Sequence, residues 1–246
     1  MSIERLSEAG AAGLLRGASK ATGADFAFLL QTAQRESGLD PQARAQGSSA
    51  AGLFQFVERT WLALLERYGG AHGAGEAQAQ LRSGEPLSQD ARRALLDLRF
   101  DPALSARLAG ELAQENRALL AGALGRAPSG GELYAAHVLG PAGAAKLIAE
   151  ADKGAPEAAV LFPAAAEANP GLFFQNGAAV SASGLLARLS GEAATIARGA
   201  PSAPEEQPSS AQLLAALIAS EFLEEGRSRA DRALLAQGAY EQSKLP

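Results

Sequence analysis

DFAFLLQTAQRESG, residues 25–38, is the stretch that decides the class of this protein. Phe26, Leu29, Leu30 and Ala33 recur at the three- and four-residue spacing of one helix face. Asp25 stands where a carboxylate can accept the unpaired N–H groups of a first turn, and Gly38 where a left-handed residue can close the last one. The helix also carries Glu36 near its end. At about 100° per residue, Glu36 projects roughly 70° from the centre of the stripe set by those four residues, with Ser37 inside the stripe and Arg35 pointing away.

The rest of the chain is written in the same idiom. Of 246 residues 47% are hydrophobic, enough to bury a sizeable core as one large domain or a domain with an appendage. Valine and isoleucine supply only 8 of them, against alanine and leucine nearly everywhere, so strand formers are scarce and the expected fold is all-α. A net charge of -5 and a pI near 5.2, with 9 Phe, 3 Tyr and 1 Trp scattered, offer no basic face for phosphates, and nucleic acid is not expected as a partner. The absence of cysteine excludes disulfides, thiol catalysis and cysteine metal sites while leaving the compartment open. The opening MSIERLSEAGAAGLLRG lacks a basic start followed by an unbroken apolar run, and no segment reaches the roughly 20 apolar residues of a membrane span.

Punctuation divides the chain into further helices. ERTWLALLERYGG carries Trp61, Leu62, Leu64 and Leu65 before Gly69 and Gly70, and residues 71–86, AHGAGEAQAQLRSGEP, read as a loop or short turns. Ser88 opens a helix through Phe100. Asp101 and Pro102 start a long one, with Leu104, Leu108, Leu112, Leu119 and Leu120, that runs to Gly125. Ser129 and Glu132 form a capping box before LYAAHVLG, which stops at Gly140 so that Pro141 can begin another helix. Turns broken by Pro163 and Pro170 lead to LLARLSGEAATIAR, the expected last helix of a main domain spanning residues 1–198. Residues 199–210, GAPSAPEEQPSS, read as a proline-rich linker, and residues 211–246 as a short C-terminal helical appendage with an amphipathic face of Leu213, Leu214, Leu217, Ile218 and Phe222.

A carboxyl at the edge of an apolar stripe is partly desolvated, which favours its neutral form, the form a general acid needs. The plainer alternative is a solvated residue at a frayed helix end. Downstream, SSAAGLFQF supplies small residues that let backbone approach a ligand and, in Gln55, both a donor and an acceptor. Glu36-Ser37, the small-residue stretch and Gly52-Leu53-Phe54-Gln55 together resemble the Glu-Ser and Gly-Leu-Met-Gln motifs of soluble lytic transglycosylases, relatives of goose-type lysozyme. The family's third motif, Ala-Tyr-Asn followed by Ala-Gly-Pro-Gly, is matched more loosely by LYAAHVLGPAGA, residues 133–144. With Ala136 in the alanine place, His137 and Val138 replace tyrosine and asparagine, and Tyr134 lies one helical turn before Val138.

The resemblance covers residues from about 20 to 150, extending at most to 198, and implies a lysozyme-like helical domain that cleaves the bond between N-acetylmuramic acid and N-acetylglucosamine in peptidoglycan. It implies that Glu36 is the single acid and base, that Ser37 holds the Glu36 carboxyl or a sugar group, and that Gln55 and the backbone near Gly52 and Phe54 fix the sugar. Tyr134 is open to two readings, a group that stabilises charge or bonds Glu36, or a core tyrosine. His137 is either a substrate contact lining the cleft or a satisfied core histidine. Asp40, before Pro41, reads as a cap or turn residue rather than a second carboxylate.

Other chemistries find no footing. GPAGAAK, residues 140–146, lacks the glycine before lysine and the following Ser or Thr of a phosphate loop. His72 and His137 are far apart, no acidic cluster has metal spacing, and no Gly-x-Ser-x-Gly elbow occurs, so neither a metal nor any other cofactor is expected. Two alternatives remain beside the transglycosylase: a hydrolytic muramidase on the same scaffold, and a non-catalytic glycan-binding or assembly module. The substrate implied lies in the periplasm or cell wall, which without a recognisable signal peptide calls for export by another route. Flagellar, secretion or phage assemblies, engaged through the C-terminal helices, are the partners this suggests.

Overall fold

The computed structural model describes residue 6 and residues 8–45, 48–154, 157–168 and 170–197, and over them the fold is all-α with one two-stranded hairpin. The proposed linker 199–210 and appendage 211–246 lie outside the described residues. Helix α1, Glu8–Thr22, leads into α2, Phe26–Ser37. The expected caps of α2 are in place. Asp25 Oδ1 accepts the Phe28 N–H at 2.8 Å, and Gly38 closes the helix at φ 59° and ψ 34°.

Helix α3, Glu58–Tyr68, passes directly into a 3₁₀ turn, Gly69–His72, and then α4, Gly75–Arg82. The segment expected to be a loop is therefore largely helical. Its glycines invite a loop reading, but Glu76, Gln78, Gln80, Leu81 and Arg82 are good helix formers. The helix buries none of its residues. Ala77 and Leu81 pack part-way against the first hydrophobic cluster, and Gln78 Nε2 and Arg82 Nε donate to the Glu66 carbonyl at 2.9 Å each. These two donors thereby satisfy the orphan oxygen acceptors at the end of α3.

Ser88 caps α5, Gln89–Asp97, which ends in a 3₁₀ turn at Leu98–Phe100. Asp101 then accepts the Ala103 and Leu104 N–H groups at the start of α6, Pro102–Leu124. At about 1.5 Å per residue this helix is about 35 Å long. It is the element the two hydrophobic clusters share. Its first half, with Leu104 and Leu108, packs with Leu15, Leu29, Leu53, Trp61, Leu64 and Leu65. Leu120, near its end, packs with Val138, Leu139, Leu147, Phe173, Leu185 and Leu189.

The second cluster is built by α7, Gly130–Asp152, with three short turns, α8 Ala158–Leu161, α9 Pro163–Ala168 and α10 Pro170–Phe173, and by α11, Ala182–Ala197. Between α10 and α11 the strands β1, Phe174–Gln175, and β2, Ala178–Ala179, make a tight hairpin turned by Asn176 and Gly177, both at positive φ. A continuous α7 was not the expectation, and the helix is indeed broken: Gly140 has φ 71° and ψ 162°, with Pro141 starting the second half. Among the described residues no helix is long and apolar enough to cross a membrane.

The start of α7 is held by reciprocal bonds. Glu132 N–H donates to Ser129 Oγ at 3.2 Å, while Ser129 N–H donates to Glu132 Oε2 at 2.7 Å. Arg126 then grips the same carboxylate with two donors, at 2.6 and 2.9 Å. That grip, aided by the Ser129 donors and opposed by burial, lowers the Glu132 pKa from 4.5 to about 2. A carboxylate depressed in the folded state stabilises the fold fully above its unfolded value and loses that contribution as pH falls through its folded one. The melting temperature is therefore expected to drop between pH 4.5 and about 2, and Glu132→Gln to flatten part of that drop in thermal melts followed by circular dichroism. Ser129→Ala should cost about 1 kcal/mol at neutral pH.

Candidate active site

The end of α2 and the turn after it are one construction. Residues 43–45 and 48–56 are tied back on one another: Ala51 and Phe56 exchange both backbone hydrogen bonds, at 3.2 and 3.1 Å, and Gly52 N–H donates to the Ala43 carbonyl at 2.9 Å. The four residues between, Gly52 to Gln55, make a tight turn that needs two left-handed positions, Gly52 at φ 81° and Gln55 at φ 48°. Glycine is required at the first for a second reason, because a Cβ there would run into the carbonyl oxygen of Arg99.

Arg99 is the residue that shapes this turn, and sequence reasoning missed it. Its guanidinium is buried and donates to three carbonyls: Leu96 at 2.8 Å from Nε, and Ser49 at 2.6 Å and Phe56 at 3.1 Å from Nη1. Burial pulls its pKa below the ordinary arginine value, yet the three acceptors meet its donors. The available signal was a single cation inside the apolar run LLDLRF, residues 95–100.

Ser37 and Gln55 give their donors to this framework. Ser37 Oγ lies 2.8 Å from the Leu53 carbonyl and 3.1 Å from that of Ala33, so its hydroxyl ties the last turn of α2 to the turn. Gln55 Nε2 donates to the carbonyls of Gly52 at 2.8 Å and Ala43 at 3.1 Å. Both donors of its amide are thus spent within the loop. Asp40 Oδ1 accepts the Gln42 N–H at 2.8 Å and stays in its own turn.

Glu36 occupies a different place from the one its stripe suggested. The buried residues of α2 are Leu29, Thr32, Ala33 and Glu36, whereas Phe26 and Leu30 are only half-buried. The buried face is turned toward Glu36, which projects within about 20° of Leu29. Its side chain is 1% exposed. Oε1 faces His137 Nε2 at 3.4 Å, and Oε2 is buried with no hydrogen-bond partner among the described residues. An unsatisfied buried polar atom costs about 1–3 kcal/mol, more when charged, so the arrangement is not one that folding stability favours.

The imidazole that faces Glu36 is wedged between aromatic rings. It stacks on Tyr134 at 6.1 Å between centroids with 23° between planes, and meets the edge of Phe28 at 6.2 Å and 83°. Tyr134 is buried and carries on its ring the guanidinium of Arg35, at 5.0 Å. Arg35, which helical geometry alone pointed away from the site, reaches across by its long stem and joins it. His137 also lines a small, mostly apolar pocket, whose other walls include Phe28, Thr32, Phe54 and Phe56.

The structure thus brings Glu36, Ser37, Gly52, Phe54, Gln55, Tyr134 and His137, with Arg99 behind them, into one neighbourhood where α2, the turn and α7 meet. No protein-family model matches the chain. Gly52→Ala, forced into a left-handed conformation and onto the Arg99 carbonyl, should destabilise the protein by roughly 3 kcal/mol, read as a lowered midpoint in urea denaturation with an unchanged slope.

Proposed function

We propose that this protein is a peptidoglycan lytic transglycosylase in which Glu36 is both acid and base. The observation that carries the reading is spatial. Of the segments that resemble the family's motifs, the third, within residues 133–144, is far in sequence from Glu36-Ser37 and Gly52 to Gln55, yet Ser37 bonds to Leu53 and His137 faces Glu36. A buried carboxylate with an uncommitted oxygen, facing a histidine that lines a small pocket together with Phe28, Phe54 and Phe56, supports a site that delivers a proton to a sugar oxygen.

In this mechanism protonated Glu36 donates its proton to the glycosidic oxygen as the bond from the muramoyl anomeric carbon breaks. The resulting carboxylate takes a proton from the C6 hydroxyl of the same muramoyl residue while that oxygen attacks the anomeric carbon. A 1,6-anhydro ring forms and Glu36 is again protonated, so neither water nor a second carboxylate is consumed, unlike the two-carboxylate hydrolases. The residues around the turn contribute positioning. Acting on that polymer would put the protein at the periplasmic cell wall, where local opening of the wall is the use we assign to it.

Purified protein and a Glu36→Gln variant, incubated with bacterial sacculi and followed by mass spectrometry, test the proposal. The wild type is expected to release 1,6-anhydro-muropeptides and the variant to do so at least about 10²-fold more slowly, since amide and carboxyl are nearly isosteric and only proton transfer is lost. Reducing-end products would mean a muramidase instead. Intact sacculi with bound protein would mean a glycan-binding module.

A further inference from the structure

The mechanism above uses one oxygen of Glu36 and leaves the other unexplained, and the structure treats the two differently. Oε1 has a partner 3.4 Å away in His137 Nε2; Oε2 has none among the described residues. We infer that His137 is a positioning residue that donates its Nε2 hydrogen to Oε1 and so reserves Oε2 for the glycosidic and C6 oxygens, an inference that rests on the proposed transglycosylase reading.

Three features support the role. First, with the Glu36 proton on Oε2, where the mechanism needs it, Oε1 can only accept, so the nitrogen facing it carries the hydrogen in the protonated and the ionised state alike. Second, the ring is not free to turn: Tyr134 stacks on one face and Phe28 meets it edge-on, which aims Nε2 at the carboxylate. Third, the imidazole is only 16% exposed, so the bond forms out of bulk water, where it is not diluted by competing solvent. The separation of 3.4 Å is long for such a bond. It leaves room to shorten when Glu36 has given up its proton and carries full charge, which is the moment when holding the carboxylate matters most. His137 transfers no proton in this scheme: its hydrogen stays on Nε2 through both halves of the reaction.

The arrangement also separates this site from one in which His137 contacts substrate. A substrate contact would be felt in KM. A residue that orients the acid is felt in kcat, because orientation is needed in both proton transfers while glycan binding is left alone.

The test uses the full chain with His137→Phe and His137→Gln. Phenylalanine keeps the stacking on Tyr134 and Phe28 and removes the donor, whereas glutamine restores an N–H near the Nε2 position. His137→Phe is expected to lower kcat on sacculi 10- to 100-fold, on the order of a lost charge-assisted bond, with KM within twofold, and His137→Gln to recover most of that loss. Wild-type kcat in His137→Phe, or a loss seen chiefly in KM, overturns the inference. A second readout needs no activity. In proton NMR of the wild type, a slowly exchanging Nε2 hydrogen of His137 should be visible, identified by its absence from His137→Phe or His137→Gln, and lost to exchange in Glu36→Leu. Its absence from the wild type, or its persistence in Glu36→Leu, overturns the inference even if the variants lose activity. If the wild type releases nothing from sacculi, the enzyme reading fails, and the hold of His137 on Glu36 stands or falls on the NMR result alone.

Discussion

A charged residue on the buried face of an amphipathic helix cannot be closed over by hydrocarbon, and this constraint organises the molecule around α2. Leu29 and Ala33 are covered by the first hydrophobic cluster in the ordinary way. Glu36, on the same face, would leave both oxygens stranded if it were covered likewise. The element that lies over it is the first half of α7, which brings an imidazole rather than another leucine. Where α2 meets α7, the contact between the clusters is therefore polar, and the carboxylate is what makes it so.

The turn next to it illustrates how far folding alone accounts for a motif. Gly52 is needed because of its positive φ and the Arg99 carbonyl; Gln55 because its amide satisfies two carbonyls inside the loop; Ser37 because it ties helix to turn. In the sequence, Gln55 and the backbone near Gly52 read as sugar contacts, and Ser37 as a contact to a sugar or to the Glu36 carboxyl. In the structure they hold a compact loop, Ser37 and Gln55 donating to the carbonyls of Leu53, Ala43 and Gly52 while Arg99 donates to those of Ser49 and Phe56. What they do for a ligand follows from the shape they hold.

Much of the architecture was legible in the sequence wherever a helix had both a stripe and a cap. Asp25, Ser88, Asp101 and Ser129 all accept the N–H groups of the turns they precede, and Gly140 breaks α7 before Pro141. What escaped reading lacked one signal or the other. Helix α4 buries no residue fully and packs only Ala77 and Leu81 part-way against the first cluster, too sparse a stripe for periodicity to mark it, and side chains that reach back to α3 add to its hold. The hairpin at residues 174–179 is only two residues a side, too short for any alternation to register. Within the site, the position of Glu36 was legible and its orientation was not. Thr32, a polar residue, proved to belong to the buried face, and counting it moves the centre of the stripe toward Glu36. The pairing of Glu36 with His137 joins residues 101 positions apart, and no local pattern encodes such a contact.

Because α6 serves both clusters while α2 belongs mainly to one and α7 to the other, the carboxylate sits on a boundary between two hydrophobic clusters. Proteins open along such boundaries at a lower free energy than they unfold. An opening along this boundary, with α7 and α11 parting from the first cluster, would expose Glu36 at a lower cost than global unfolding. The consequence is thermodynamic: every added increment of stability in the contacts between the two clusters would reduce the fraction of molecules in which Glu36 is uncovered, so a sturdier seam and an accessible carboxylate would pull against each other in the same helix.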